Sequence, residues 1–221
     1  MKLLRNVLQS IGLGLVVLSL NLSSVQAQET VQKGTLPLPE VNEETNMISN
    51  WRGGYPLPNS IRAWHYNPDF VMPMMEVGQA VQNSTLSYRL QMMIAAIVSS
   101  RNNCIYCLCS SLRALNDDGK SDSLMITLQS KINPSDFDNK TGSALLLAEQ
   151  LTMNPSESSY SVENAINAGW DNDEIASIIF LVSYMNMMNR IAISFNLAPD
   201  ESHPYDQDAK LPITRCDKRL Q

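Results

Sequence analysis

The chain has 221 residues, a formal net charge of −6, four cysteines and twelve methionines. An acidic chain with no Lys/Arg cluster interleaved with aromatics lacks the footprint of a nucleic-acid binder, so small molecules or proteins are the expected partners. Four cysteines allow two disulfides in three connectivities.

Taken in order, the chain opens with a basic stretch, Met1 to Arg5, then a mostly apolar run from Val7 to Leu22 and a small-residue cleavage site at Val25-Gln26-Ala27. This predicts a signal peptide over 1–27. The mature protein is therefore expected to be exported, periplasmic or secreted, with no membrane attachment after cleavage. No other segment is read as long and apolar enough to span a bilayer. Residues 28–60 carry Pro37, Pro39, Pro56, Pro58 and Gly53-Gly54, and are read as an extended arm, either packed across a neighbouring subunit or a loosely ordered leader.

A helical domain is expected over 61–200, with a tail over 201–221. The spacing predicts a helix from about Pro73 to Gln82. A second, capped by Ser87, runs to about Ser100 with Leu90, Met93, Ile94, Ile97 and Val98 on one apolar face. The next, capped by Asn102 or Asn103, runs to about Asn116, where Asp117-Asp118-Gly119 ends it by turn chemistry. Ser123 to Ser130 is a short helical candidate and 133–140 reads as a loop. Ser143 to Met153 is a helix stopped by Asn154-Pro155, and Ser161 caps a short one closing at Gly169. Asp171-x-x-Glu174 is a capping box for the longest helix, through about Phe195. With no strand alternation, the class is all-α.

Three of the four cysteines fall between Arg101 and Arg113, two of them as Cys104-x-x-Cys107. Placing this pair in the first turn of a helix aims free N–H groups at the sulfurs and favours thiolate, which suits a redox pair. The preferred bridges are Cys104–Cys107, kept for exchange, and a Cys109–Cys216 structural clamp. A zinc site built from all four cysteines lacks the usual two-plus-two spacing, so no metal and no cofactor are expected. The methionine stripes, Met72, Met74, Met75, Met92, Met93, Met185, Met187 and Met188, read as core and helix-interface filling rather than copper ligands.

The motif Asn102-Asn103-Cys104-Ile105-Tyr106-Cys107, with Ala144 to Met153, Ala165 to Trp170, Asp173-Glu174, and Tyr184 to Arg190 leading to Pro199-Asp200, resembles the AhpD-like, or carboxymuconolactone decarboxylase-like, all-helical family. The likeness covers about Asn67 to Glu201. It implies an AhpD-like helical bundle with an alkylhydroperoxidase-type dithiol, Cys107 attacking peroxide and Cys104 resolving the sulfenic acid. It also implies a homo-oligomer, a trimer or a multiple of one. Two positions depart from the family pattern: Ser111 stands where the family has His, and Met92 where it has Glu. Ser111, Tyr106 and Gln91 are the candidate accessory residues in their place, and neither His65 nor His203 falls in the motif.

The reading that follows is an exported thiol-disulfide oxidoreductase acting on a hydroperoxide or a protein disulfide and reset by a thiol reductant not identifiable from the sequence. The alternative is a catalytically degenerate AhpD-like scaffold, a binding or structural module.

Overall fold

The computed structural model describes residues 36–40, 42–43, 57–115 and 136–200. The predicted signal peptide, the turn and short helix expected between Asp117 and Ser130, and the tail beyond Asp200 lie outside the described residues. All the described residues belong to one compact unit, Thr35–Gln221. There they form seven α-helices, α1 Asn59–Trp64, α2 Pro68–Gln82, α3 Tyr88–Arg101, α4 Ile105–Leu115, α5 Asn139–Met153, α6 Ser159–Asn167 and α7 Asn172–Ser194, with a 3-10 turn over Pro155–Glu157 and no strand among them. The all-α class holds.

Helix α3 is the axis. From Leu90 to Ser99 every residue except Met92 is buried, so it is wrapped on all sides rather than along the one expected face. The second face consists of Ala95, Ala96 and Ser99, small residues that give no hydrophobic period but let neighbouring helices approach closely. Helices α4, α5 and α7 all pack on α3. Ile94, Ile97, Leu145, Leu147, Ile178 and Val182 meet in the main core, all at most 2% exposed. Burying one such side chain contributes about 1.5–3 kcal/mol, which makes this core the main source of stability.

The caps explain where the helices begin. Ser87 accepts from the Leu90 N–H, as expected. The capping box of α7 forms fully, Asp171 accepting from the Glu174 N–H at 2.8 Å and Glu174 from the Asp171 N–H at 3.0 Å. Three boundaries differ from the sequence reading. Helix α2 starts at Pro68 and runs through Pro73, whose missing N–H leaves unpaired only the carbonyl of the exposed Asp69, a group water can satisfy. Helix α5 starts at Asn139 because Asp138 caps it, accepting from the Thr141 N–H at 2.9 Å. Helix α6 starts at Ser159, straight out of the 3-10 turn, so Ser161 lies inside it and caps nothing.

Helix α7, at 23 residues, is long and apolar enough to cross a membrane by length and composition, against the sequence reading. In the bundle its Ile175, Ile178, Leu181 and Val182 face is buried in the main core.

Candidate active site around Cys104 and Cys107

The turn between α3 and α4 places the dithiol. Asn103 adopts the left-handed conformation, φ 57°. The Asn103 N–H then bonds the Ser100 carbonyl at 3.1 Å and the Cys104 N–H bonds the Ser99 carbonyl at 2.9 Å. These paired bonds are a Schellman ending for α3, so Asn102 and Asn103 close one helix rather than cap the next, a correction to the sequence reading. The cap of α4 is Cys104 itself. Its carbonyl accepts the first helical bond from the Leu108 N–H at 2.9 Å, and its Sγ accepts the Cys107 N–H at 3.4 Å.

A sulfur in the N-cap position takes up an otherwise unpaired helix donor and sits at the positive end of the helix dipole. The Cys107 side chain also donates to it, and these bonds outweigh burial to hold Cys104 below the usual thiol range. Cys107 is pushed upward as the donor in that contact, by burial, and by the neighbouring Cys104 charge. Both thiols are free in this structure, so the expected Cys104–Cys107 bridge is open. Cys109, fully buried, is disulfide-bonded; its expected partner Cys216 lies outside the described residues.

The accessory candidates separate. Ser111 donates its hydroxyl to the Cys107 carbonyl at 3.0 Å, one helical turn back, so its proton is engaged by the backbone rather than by a sulfur. Gln91, near the start of α3, is about ten residues or 15 Å along the helix from the dithiol turn. Its Nε2 donates to the Gln82 and Leu86 carbonyls at 3.0 and 2.9 Å, clamping the α2–α3 turn. Tyr106 does lie against the cysteines. Its hydroxyl donates to Asp200 Oδ2 at 2.9 Å and stands 3.1 Å from Ser60 Oγ. Burial, then the Asp200 charge, raise the Tyr106 pKa, so it remains a phenol and a hydrogen-bond donor.

Met92 is half-buried against the main core. His65 bonds the Ile61 carbonyl through Nδ1 at 2.8 Å, while His203 lies outside the described residues. Among the described residues no carboxylate or imidazole hydrogen-bonds either sulfur. No group of three or more His, Cys, Asp or Glu stands close enough to hold a metal ion among those residues either.

The sequence gives no role at the dithiol to several residues that surround it. Asp200 accepts the Asn59 N–H at 2.8 Å through Oδ1, and its carbonyl accepts from Arg113 at 3.2 Å. Ala63, Ala192, Leu197, Leu38, Met185 and Phe195 form the apolar shell around the two cysteines. Behind the turn, the fully buried Asn189 donates to Ser99 Oγ at 3.2 Å, tying α7 to the residue whose carbonyl holds the Cys104 N–H. A separate groove of about 570 Å³ lies between α2 and α7, lined by Val77, Val81, Phe180, Tyr184 and Met187, and includes neither cysteine.

The all-helical bundle that carries the dithiol superposes on solved structures of AhpD-like proteins. An uncharacterised peroxidase-related protein from Silicibacter is 23% identical with a TM-score of 0.66, over 79% of this chain and 96% of its own. An alkylhydroperoxidase AhpD core protein from Ralstonia eutropha is 18% identical with a TM-score of 0.62, over 75% and 92%. The debrominase Bmp8, solved with 2,3,4-tribromopyrrole, is 17% identical with a TM-score of 0.64, over 76% and 94%. No protein-family model and no curated protein matches the sequence. The chain therefore has the AhpD-like fold, and the fold alone does not choose among the activities it hosts.

Proposed function

We propose that this chain is an exported dithiol oxidoreductase that reduces hydroperoxides, with Cys104 as the attacking thiolate and Cys107 as the resolving thiol. The observation that carries the reading is the pair of contacts Cys107 makes to Cys104 Sγ, its thiol donating and its backbone N–H held at 3.4 Å; they favour thiolate at Cys104, while the donated bond and burial keep the Cys107 sulfur protonated beside it. The order of roles is the reverse of the one the family resemblance implies.

In the first step Cys104 thiolate attacks the distal peroxide oxygen, the O–O bond breaks, and alkoxide leaves to take a proton. The resulting sulfenic acid is attacked by Cys107, which loses its proton as hydroxide leaves from Cys104, giving water and the Cys104–Cys107 disulfide. A dithiol reductant resets the pair. With no acid or base among the described residues hydrogen-bonded to the sulfurs, solvent is the proton carrier and a modest rate is expected. Export is supported by the leader-like composition of 1–27. Assembly into a homo-oligomer is supported by the exposed Val77, Phe180 and Met187 side chains.

The test is loss of free thiol in the pre-reduced mature chain mixed with tert-butyl hydroperoxide, for wild type, Cys104→Ser and Cys107→Ser. Cys104→Ser is expected to abolish rapid oxidation, and Cys107→Ser to stop at a sulfenic acid on Cys104. Oxidation no faster than that of an unstructured thiol removes the peroxidase reading and leaves the scaffold in its place.

A further inference from the structure

The dithiol lies beneath a cover made of two stretches remote from it in sequence. Cys104 is 2% exposed and Cys107 7%. Leu38, from the stretch 36–40, and Ala63, from α1, both belong to the apolar shell that contains the two cysteines. The stretch is strapped to α1 through Arg62, which donates to the Pro39 carbonyl at 3.1 Å, and to the following residues through Tyr66, which donates to the Pro37 carbonyl. Contrary to a loose leader, this part of the arm packs on its own chain.

We propose that residues 36–40 and α1 form a gate that swings off the Cys104–Cys107 pair to admit the thiol reductant, with Tyr106 and Asp200 as the clasp that holds it shut. The identity of the admitted molecule rests on the dithiol reading above; the gate itself does not.

Three observations carry it. First, reduction of the disulfide needs direct approach. A reductant thiolate must bond one sulfur while the S–S bond breaks and the other sulfur leaves as thiolate, and the reductant's second thiol then releases the mixed disulfide. Sulfurs this buried offer no room for that approach.

Second, the clasp is local. The Tyr106 hydroxyl bonds Asp200 Oδ2, and the first two residues of α1 fasten to this pair and its neighbour: the Asn59 N–H to Asp200 Oδ1, the Ser60 N–H to the Tyr106 oxygen at 3.3 Å, and Asn59 Nδ2 to the Ala198 carbonyl at 3.1 Å. A six-residue helix has no stability of its own, so these bonds and the apolar underside are what hold it in place.

Third, the cover is poorly satisfied. Arg62 Nε, Trp64 Nε1 and His65 Nε2 are buried with no hydrogen-bond partner among the described residues. Three such atoms fall within four consecutive residues. Opening returns them to water, which offsets part of the apolar burial given up and places this segment at the low-stability end of the fold.

The experiment is mass-resolved alkylation of Cys104 and Cys107 in the pre-reduced full chain with a polymer-linked maleimide. Wild type, Tyr106→Phe and Asp200→Asn are compared with the chain unfolded in guanidinium. The folded wild type is expected to react at least tenfold more slowly than the unfolded chain. Both variants are expected to react about tenfold faster than wild type, the factor that a clasp weakened by about 1.4 kcal/mol gives. Folded wild type reacting at the unfolded rate, or both variants staying within twofold of wild type, overturns the gate.

Should either variant fail to fold, hydrogen exchange on wild type decides. The amides of 62–66 are expected to exchange well before those of α3, and equal protection of the two overturns the proposal. Accessibility is measured without any hydroperoxide, so failure here and failure of the peroxidase reading remain distinguishable.

Discussion

Cys107 donates to the sulfur of Cys104 twice, through its thiol and through its backbone N–H across 3.4 Å, and the thiol contact foremost ranks two thiols that look alike in the sequence. The N–H bond exists because α3 ends in a Schellman turn at Asn103 and α4 begins immediately, leaving Cys104 at the junction as the cap. Reactivity at this site follows from helix termination as much as from the cysteines.

The ranking predicts that Cys104 ionises below the free-thiol range and Cys107 above it. Cys104 is depressed, so its contribution to stability is present above the unfolded thiol pKa of about 8.5 and is lost as pH falls through its folded value. Cys107 is raised, so its contribution is present below about 8.5 and is lost as pH rises beyond it. Thiolate absorbance of the pre-reduced protein should therefore rise by one equivalent before the free-cysteine range. Cys107→Ala, which removes the largest cause of the Cys104 shift, should move that rise to higher pH. Two equivalents appearing together would contradict the assignment.

Because Cys104 is also a helix cap, its two simplest replacements should separate chemistry from stability. Cys104→Ser supplies a better capping oxygen and should match or exceed the wild-type melting temperature while abolishing thiol chemistry. Cys104→Ala leaves the Cys107 N–H unpaired and should cost about 1 kcal/mol. Thermal unfolding under reducing conditions decides it. Equal melting temperatures for the two variants would mean that the sulfur is not acting as a cap.

Legibility in the sequence follows the range of the interaction. The capping box at Asp171 and Glu174, the Ser87 cap and the stop at Asn154-Pro155 are local, and the structure forms them where the spacing puts them. The dithiol motif is legible for the same reason. Helix α3 is placed correctly by its period but only half described by it, since Ala95, Ala96 and Ser99 bury a face without giving a periodic signal. Helix α1 escapes the sequence reading because six residues between Pro58 and His65 hold too little pattern to register. Asp200 enters the family resemblance, but its contacts cannot be read: it reaches Asn59 across 141 residues and Tyr106 across 94. The backbone bonds that Ser111 and Gln91 make are not legible for a related reason, since proximity along a helix does not say which way a side chain turns.

Left-handed residues close three helices, Asn103 at φ 57°, Gly169 at φ 92° and Asn196 at φ 50°, and only one of them is glycine. Asn103→Gly should therefore be neutral or mildly stabilising. Asn103→Ala should cost on the order of 1–2 kcal/mol, because a Cβ without a local hydrogen-bonding group is strained there. The alanine variant should also loosen the Cys104 cap, so its thiolate should appear at higher pH than in wild type. Urea unfolding with a parallel thiolate titration checks both parts, and an unchanged titration in a destabilised Asn103→Ala would separate the turn from the cap.

The junction of α5 and α7 offers a test of which interactions matter there. Trp170 Nε1 donates to the Lys140 carbonyl at 2.8 Å and stands 3.2 Å from Ser143 Oγ, with the residue only 8% exposed. The Lys140 ammonium sits 4.2 Å above the same ring and bonds both Glu174 oxygens at 3.1 Å, but its side chain is 41% exposed. Trp170→Phe removes the donor to a shielded carbonyl and part of the ring, and should cost about 1–3 kcal/mol. Lys140→Met gives up only a screened ion pair and a surface cation–π interaction, each worth about 1 kcal/mol or less. Urea midpoints should accordingly fall further for Trp170→Phe than for Lys140→Met, and raised salt should narrow the gap between Lys140→Met and wild type. A larger loss for Lys140→Met would place the stability of this junction in its charges rather than in the indole hydrogen bond.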